Sequence, residues 1–148
     1  MDGGRLVHGR ECGDASRAVE IGEIRITIPG IPRTKKNSGR IVPREGRHIL
    51  LPSEAWQTWA DSVVPSIRAW AQRVKLVPLA YPLNCAAVFY RDALRGDAVG
   101  FYQGLADLLE KAGIVEDDKW IVSWDGSRLR KDASRPRVEL VLTRSTDQ

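Results

Sequence analysis

The sequence is poor in the residues on which most protein active sites depend. It has two cysteines and two histidines in 148 residues. Cys12 and Cys85 have neither the spacing of zinc ligands nor that of a disulfide framework. Neither His8 nor His48 has a neighbouring nucleophile together with a third, orienting group. These shortages argue against zinc, thiol and Ser-His-Asp chemistry.

Long apolar runs are also missing. No stretch approaches the roughly 20 residues that a membrane-spanning helix needs. Residues 1–22 lack the apolar centre of a secretory signal. We therefore expect a poorly ordered leader over 1–22, one domain over 23–144 and a short tail over 145–148. The protein is expected to stay in the cytoplasm and to have no membrane partner.

Charge is abundant and unevenly distributed. The formal net charge is +4, which by itself indicates little, but the basic residues fall into two clusters around an acidic middle. The first comprises Arg33, Lys35, Lys36, Arg40, Arg44 and Arg47. The second comprises Arg128, Arg130, Lys131, Arg135 and Arg137. Such clusters are either solvated loops or contacts to a polyanion such as DNA.

Apolar periodicity predicts several strands and two helices. The strand candidates share short apolar or alternating runs bounded by Pro, Gly or polar residues. They are residues 23–30, a hairpin around 45–46, and residues 82–92, 119–126 and 135–143. One helix should begin after Ser53, with a kink or break at Pro65. The other should begin at Asp97 and end before Gly113. This order predicts an α+β domain with a mixed β-sheet and two main helices.

The five tryptophans divide into two groups. Trp56, Trp59 and Trp70 follow helical spacing on one apolar face, which favours core or dimer packing over base stacking. Trp120 and Trp124 fall in a predicted strand, where both interpretations stay open.

Carboxylates are the remaining candidates for chemistry. They are Asp92, Asp97, Asp117 and Asp118, with Glu116 beside them. Residues of this type commonly cap helices and turns. Several of them converging on one point would instead bind Mg²⁺, which can activate water and neutralise phosphate charge. The glycines at 96, 100 and 104 match no nucleotide-binding loop.

The run from Arg91 to Asp118 resembles the core of the RusA family of Holliday junction resolvases. Its pattern is RD-x4-D, then Q-x3-D-x3-KAGI-x2-DD. The upstream stretches PGIP…KN and SEAWQTWADSV also fit, so the resemblance covers about residues 23–143. It implies a RusA-like, homodimeric, Mg²⁺-dependent endonuclease of phage or prophage origin, in which Mn²⁺ substitutes for Mg²⁺. Such an enzyme cuts branched DNA, including four-way junctions, in recombination and repair.

The resemblance assigns roles to individual aspartates. Asp97 matches the family's first metal-binding aspartate, Asp118 the last, and Asp117 the adjacent acid, so these three are the predicted catalytic residues. Val99 stands where the family has a second aspartate, and a valine cannot bind metal. The nearest acids in the sequence that could replace the missing ligand at position 99 are therefore Asp92 and Asp117.

Two further positions depart from the family pattern. Gly100 replaces an asparagine, and Gln103 replaces a lysine; a glutamine can donate a hydrogen bond to a phosphate but brings no charge. An alternative is therefore a catalytically impaired protein of the same fold that binds junctions without cutting them. The predicted DNA contacts are Arg33, Lys35, Lys36, Arg40, Gln103, Arg130 and Lys131.

A helix over residues 97–112 has ends about 22 Å apart, which separates Asp97 from Asp118. The two can meet only if the chain doubles back after Gly113, or if a two-fold axis near Gly104 joins Asp97 of one chain to Asp118 of another. We prefer the second arrangement, because Gly100 and Gly104 would allow close contact between helices.

Overall fold

The computed structural model describes residues 22–35, 40–44, 47–51 and 54–146. The predicted leader therefore lies outside the described residues except for Gly22, and only residues 145–146 of the tail are described. The elements are β1 (Glu23–Pro29), β2 (Arg40–Arg44), β3 (Arg47–Leu51), α1 (Glu54–Arg73), β4 (Leu83–Arg91), α2 (Ala98–Lys111), a 3-10 turn (Asp118–Trp120), β5 (Ile121–Ser123), β6 (Arg128–Lys131) and β7 (Arg137–Arg144).

Five strands form one mixed sheet in the order β1-β7-β4-β5, with β6 also paired to β4. β7 runs antiparallel to β1 and β4, whereas β5 and β6 run parallel to β4. Strands β2 and β3 pair separately as the predicted hairpin. The α+β prediction, a mixed sheet with two main helices in one small domain, is confirmed.

Strand β6 lies between the strands predicted over residues 119–126 and 135–143, and it is the one strand of the five-stranded sheet that the sequence analysis did not predict. Three of its four residues are charged, and only Leu129 packs against the core. With a single apolar residue, the segment has no alternation to detect. Only its pairing with the end of β4 makes it a strand.

Helix α1 covers the core with the expected tryptophans. Trp56, Trp59 and Trp70 are all buried. Of the kink or break expected at Pro65, the break does not occur, since the helix is continuous from Glu54 to Arg73. The proline ring is exposed, while buried side chains on both sides of it, including Ile67, hold the helix on the core. Packing therefore outweighs the local cost of the missing N–H.

Helix α2 begins and ends as predicted. The Asp97 side chain accepts a hydrogen bond of 3.3 Å from the Val99 backbone N–H, which makes Asp97 the N-cap. Gly113 has a φ of +78° and directly follows the last residues of the helix. This left-handed conformation favours glycine and ends the helix.

The glycine face of α2 lies against the same chain. A Cβ atom at Gly104 would lie 2.9 Å from the carbonyl oxygen of Arg33, and one at Gly100 would lie 3.2 Å from Cγ2 of Thr34. Trp56 Nε1 also donates to the Gly104 carbonyl at 3.0 Å. The expectation that these glycines admit a second chain's helix is therefore wrong, because the segment over residues 31–35 already occupies that face.

Neither Trp120 nor Trp124 lies in a strand, contrary to expectation. Trp120 ends the 3-10 turn, and its indole N–H donates to Glu116 Oε1 at 2.7 Å. Trp124 follows β5 and stacks on Tyr102 of α2 with ring centroids 4.8 Å apart. Within the described ranges, no helix is long and apolar enough to cross a membrane.

Candidate functional site

Three carboxylates converge where the chain turns back after α2. Glu110 lies in the last turn of the helix, while Asp117 and Asp118 open the following 3-10 turn. One oxygen from each of the three lies within 4.8 Å of the others. We call these three residues the acidic group.

The chain reversal after Gly113 creates the acidic group. Ile114 and Val115 are fully buried, and Val115 forms a parallel bridge with Leu79. Anchored in this way, the chain returns along the end of α2, and the Asp118 backbone N–H donates to Glu110 Oε1 at 3.0 Å. Burial of two aliphatic side chains therefore positions the half-buried aspartates, Asp117 and Asp118, that follow them.

The two aspartates differ electrostatically. Burial, a hydrogen bond shared with Asp117 and the negative charges of Asp107 and Glu110 raise the pKa of Asp118. The backbone N–H of Lys119 donates to Asp117 at 2.9 Å, and this bond is the main reason that the pKa of Asp117 is lowered. The repulsion of Asp118 by the negative charges of Asp107 and Glu110 is of the kind that a bound cation relieves.

The helix dipole adds to the electrostatic repulsion within the acidic group. Carboxylates are unfavourable at the C-terminal end of a helix, where the partial charge is negative. Cations partly compensate: Arg68 Nη2 donates to the Lys111 carbonyl at 2.7 Å. Lys35 Nζ lies 3.1 Å from Asp107 Oδ2 and 4.6 Å from the centroid of the Trp56 ring. Lys35 therefore lies beside the acidic group.

The acidic group fits a hard divalent cation. Mg²⁺ and Ca²⁺ bind oxygen ligands at about 2.1 Å and about 2.4 Å, so ligands on opposite sides of one ion are about 4 to 5 Å apart. The carboxylate separations of up to 4.8 Å agree with that geometry. Glu110, Asp117 and Asp118 could therefore hold a metal ion.

The structure separates the predicted metal ligands. Asp117 and Asp118 come together, but Asp97 begins α2, 13 residues from Glu110 and so about 20 Å away along the helix. Asp92 follows β4 and lies near Arg91 at that same far end. The chain does double back after Gly113, but only as far as the last turns of α2. Within one chain, the predicted set of four ligands does not assemble.

Sequence reasoning missed Glu110. A signal was present, because Glu110 lies in the last turn of a predicted helix, a helix-ending glycine follows, and two aspartates come seven and eight residues later. A tight reversal at that glycine brings the acids on its two sides together. The sequence did not establish how tight the reversal is.

The predicted DNA contacts lie in three places. Arg33 and Lys35 belong to the segment beside α2, Gln103 is exposed in the middle of α2, and Arg130 and Lys131 belong to β6. Lys36 and the side chain of Arg40 lie outside the described residues.

The other end of α2 is basic. Arg91 donates to the carbonyls of Pro32 at 3.2 Å and Arg95 at 2.9 Å. Burial lowers the pKa of Arg91; nearby Asp92 partly offsets this, and the charges of Arg33 and Arg95 add to the lowering. These three arginines therefore form a cluster. Helix α2 has basic side chains at its N-terminal end and the acidic group at its C-terminal end.

We expect Asp118→Asn to raise the melting temperature by a few degrees at pH 7 in EDTA. A raised folded-state pKa stabilises the fold at pH values below the ordinary aspartate pKa, and this stabilisation is lost as the pH rises through the raised value. At pH 7 the charged Asp118 repels Asp107 and Glu110, whereas an asparagine does not. The gain should disappear near pH 3, where wild-type Asp118 is protonated.

Thermal unfolding across this pH range measures the effect. Asp125→Asn, at an exposed position, is the control and should leave the melting temperature nearly unchanged. A lower melting temperature for Asp118→Asn at pH 7 would contradict the electrostatic account of the acidic group.

No protein-family model and no curated protein matches this chain. The fold and the site define an α+β domain with three carboxylates at the end of its second helix that could hold a metal ion.

Proposed function

We propose that the protein is a RusA-like, metal-dependent endodeoxyribonuclease that cuts branched DNA in recombination or repair. The observation that carries the proposal is the convergence of Glu110, Asp117 and Asp118 within 4.8 Å. Two of these residues match the aspartate pair that ends the RusA-like sequence run. The proposal therefore rests on a site geometry and a sequence resemblance that meet at the same residues.

In this proposal Asp117, Asp118 and Glu110 hold Mg²⁺ or Mn²⁺. The ion would supply an activated water and neutralise charge on the scissile phosphate. Lys35, 3.1 Å from Asp107, lies where it can bind a DNA phosphate next to the acidic group. Arg33 lies on the same segment and extends this basic surface toward the other end of α2.

We further propose that Asp97 completes the site from a second copy of the chain. A stripe on α2 comprises the exposed residues Val99, Gln103 and Glu110 and the half-buried Asp107, spaced at three or four residues. Two α2 helices packed antiparallel through this stripe would bring the basic end of each to the acidic group of the other. This charge complementarity supports a homodimer in which Asp97 of one chain meets Asp118 of the other.

The second candidate function is junction binding without cleavage. Val99 is 63% exposed and Gln103 is also exposed on the same stripe. An aspartate and a lysine at these positions would both face solvent, whereas valine cannot bind a metal and glutamine carries no charge. The Asp97 side chain is already engaged as a helix cap.

A synthetic four-way junction tests both candidates. Wild-type protein is incubated with it in Mg²⁺, in Mn²⁺ and in EDTA, and products are resolved on denaturing gels, with linear duplex of the same sequence as control. We expect nicking of the junction that requires the metal. Tight junction binding without nicking in either metal would favour the second candidate, and equal behaviour on linear duplex would contradict both.

A further inference from the structure

A basic depression lies at the opposite end of the central strand from the acidic group. It has a volume of about 470 Å³ and forms where β6 runs beside the end of β4. Its walls include Tyr90, Leu94, Arg128, Arg130, Lys131 and Asp132. The 3-10 turn of the acidic group leads into β5, which pairs with the start of β4. Since β4 is about 26 Å long at 3.3 Å per residue, the two sites are separate.

Tyr90 forms a fixed aromatic surface in this depression. Its partner in β7 is Arg137 and its partner in β6 is Arg130, and paired residues point to the same face of a sheet. The Arg137 guanidinium lies 3.8 Å from the centroid of the Tyr90 ring. It is held there by Asp132 at 2.9 Å and by Glu139 at 2.6 Å.

Of the three cations that line the depression, Arg128, Arg130 and Lys131, two lie on the Tyr90 face of the sheet. Arg128 and Arg130 are exposed and share the face of Tyr90. Within the part of the chain that the structure describes, neither guanidinium has a hydrogen-bond or ion-pair partner. The acidic wall residue, Asp132, forms an ion pair with Arg137 and accepts a hydrogen bond from Ser134 at 2.7 Å. The depression therefore has a net positive charge.

We propose that this depression binds an unpaired nucleotide of single-stranded DNA. The base would lie against Tyr90 and Leu94, and the flanking phosphates would bind Arg128 and Arg130. Leu94 is 63% exposed and offers apolar surface beside the ring. Single-stranded DNA is bound by this combination of an aromatic surface for bases and free cations for the backbone. The inference rests on the proposed function for its DNA substrate, but it needs neither metal nor cleavage.

Fluorescence anisotropy in EDTA tests the inference with two labelled probes. One is a short oligothymidylate, and the other is an oligonucleotide of the same length that lacks bases. We expect oligothymidylate to bind roughly tenfold more tightly. Tyr90→Leu should remove this difference, while Tyr90→Phe should keep it because the ring is retained.

The arginines are tested by a double variant, Arg128→Ser with Arg130→Ser. It should weaken binding of both probes by roughly tenfold, since both have phosphates. The matched control, Arg73→Ser with Lys75→Asn, removes the same charge from the end of α1 and should change binding less than about twofold. Asparagine suits position 75, where φ is 59°.

Three results would overturn the inference: equal affinity of wild type for the two probes, an equal loss in the control variant, or no oligothymidylate binding by folded wild type. Thermal unfolding establishes that each variant is folded. Junction nicking without oligothymidylate binding would remove this inference alone. Oligothymidylate binding without nicking would leave it intact and remove the cleavage proposal.

Discussion

Mixing Asp97→Asn protein with Asp118→Asn protein should restore junction nicking that neither variant shows alone. Loss of an outer-shell partner already reduces the affinity or activity of a metal site by about 10- to 100-fold, so loss of a ligand should cost at least as much. In the proposed homodimer each site combines Asp97 of one chain with Asp118 of the other. A mixed dimer then has one site with both substitutions and one site with neither.

Random exchange of subunits gives mixed dimers in about half of the population, and each has one intact site of two. The mixture should therefore reach about a quarter of wild-type nicking. Gel assays on a labelled four-way junction measure it after the variants have been incubated together. The controls are each variant alone at the same total concentration.

Nicking by Asp97→Asn protein alone, at nearly the wild-type rate, would place all the required ligands within one chain. Among the described residues, the carboxylates that the structure brings together for such a site are Glu110, Asp117 and Asp118, because Asp97 is about 20 Å away. If neither variant nicks alone and their mixture, after subunit exchange, does not nick either, the shared site is contradicted.

Gly104→Val should destabilise the fold by about 3 kcal/mol. A Cβ atom there would lie 2.9 Å from the Arg33 carbonyl oxygen and 3.3 Å from the Trp56 ring. The first contact is with backbone, so the segment over residues 31–35 must move away from α2. The melting temperature should fall by about 10 °C in a domain of this size, as measured by calorimetry.

Gln72→Val is the matched control, because it introduces the same side chain at an exposed position of α1. Its effect should stay within about 0.5 kcal/mol. If the two variants are equally stable, then the glycine face is not packed against the segment over residues 31–35. The face would then be open to a second helix, as the sequence had suggested.

Much of the secondary structure could be predicted because its causes are local. The alternation in β1, the apolar run in β4 and the helical spacing of Trp56 and Trp59 each indicate one element. The Asp97 cap and the Gly113 end of α2 follow from backbone hydrogen bonding and from the φ that glycine tolerates.

The predictions of local structure and packing failed where contacts between residues far apart in the sequence determine the outcome. Pro65 does not break α1, because buried residues on both sides of it pack on the core. Strand β6 forms only because the end of β4 provides a hydrogen-bonding partner. The glycine spacing in α2 correctly indicated a close approach, but the approaching backbone belongs to the same chain. The spacing of the glycines indicates that a backbone approaches the helix closely, but it does not indicate which segment or which chain that backbone belongs to.

The sequence by itself determined the α+β class, the two helices, the cap at Asp97 and the candidate aspartates, because residue type and short-range periodicity govern these features. Only the tertiary structure decided which carboxylates meet. Burial of Ile114 and Val115 turns the chain back onto α2 and adds Glu110 to Asp117 and Asp118. The rigid length of the helix keeps Asp97 away from them. Convergence of charges depends on the path that the buried residues impose on the chain, and a sequence pattern does not contain that path.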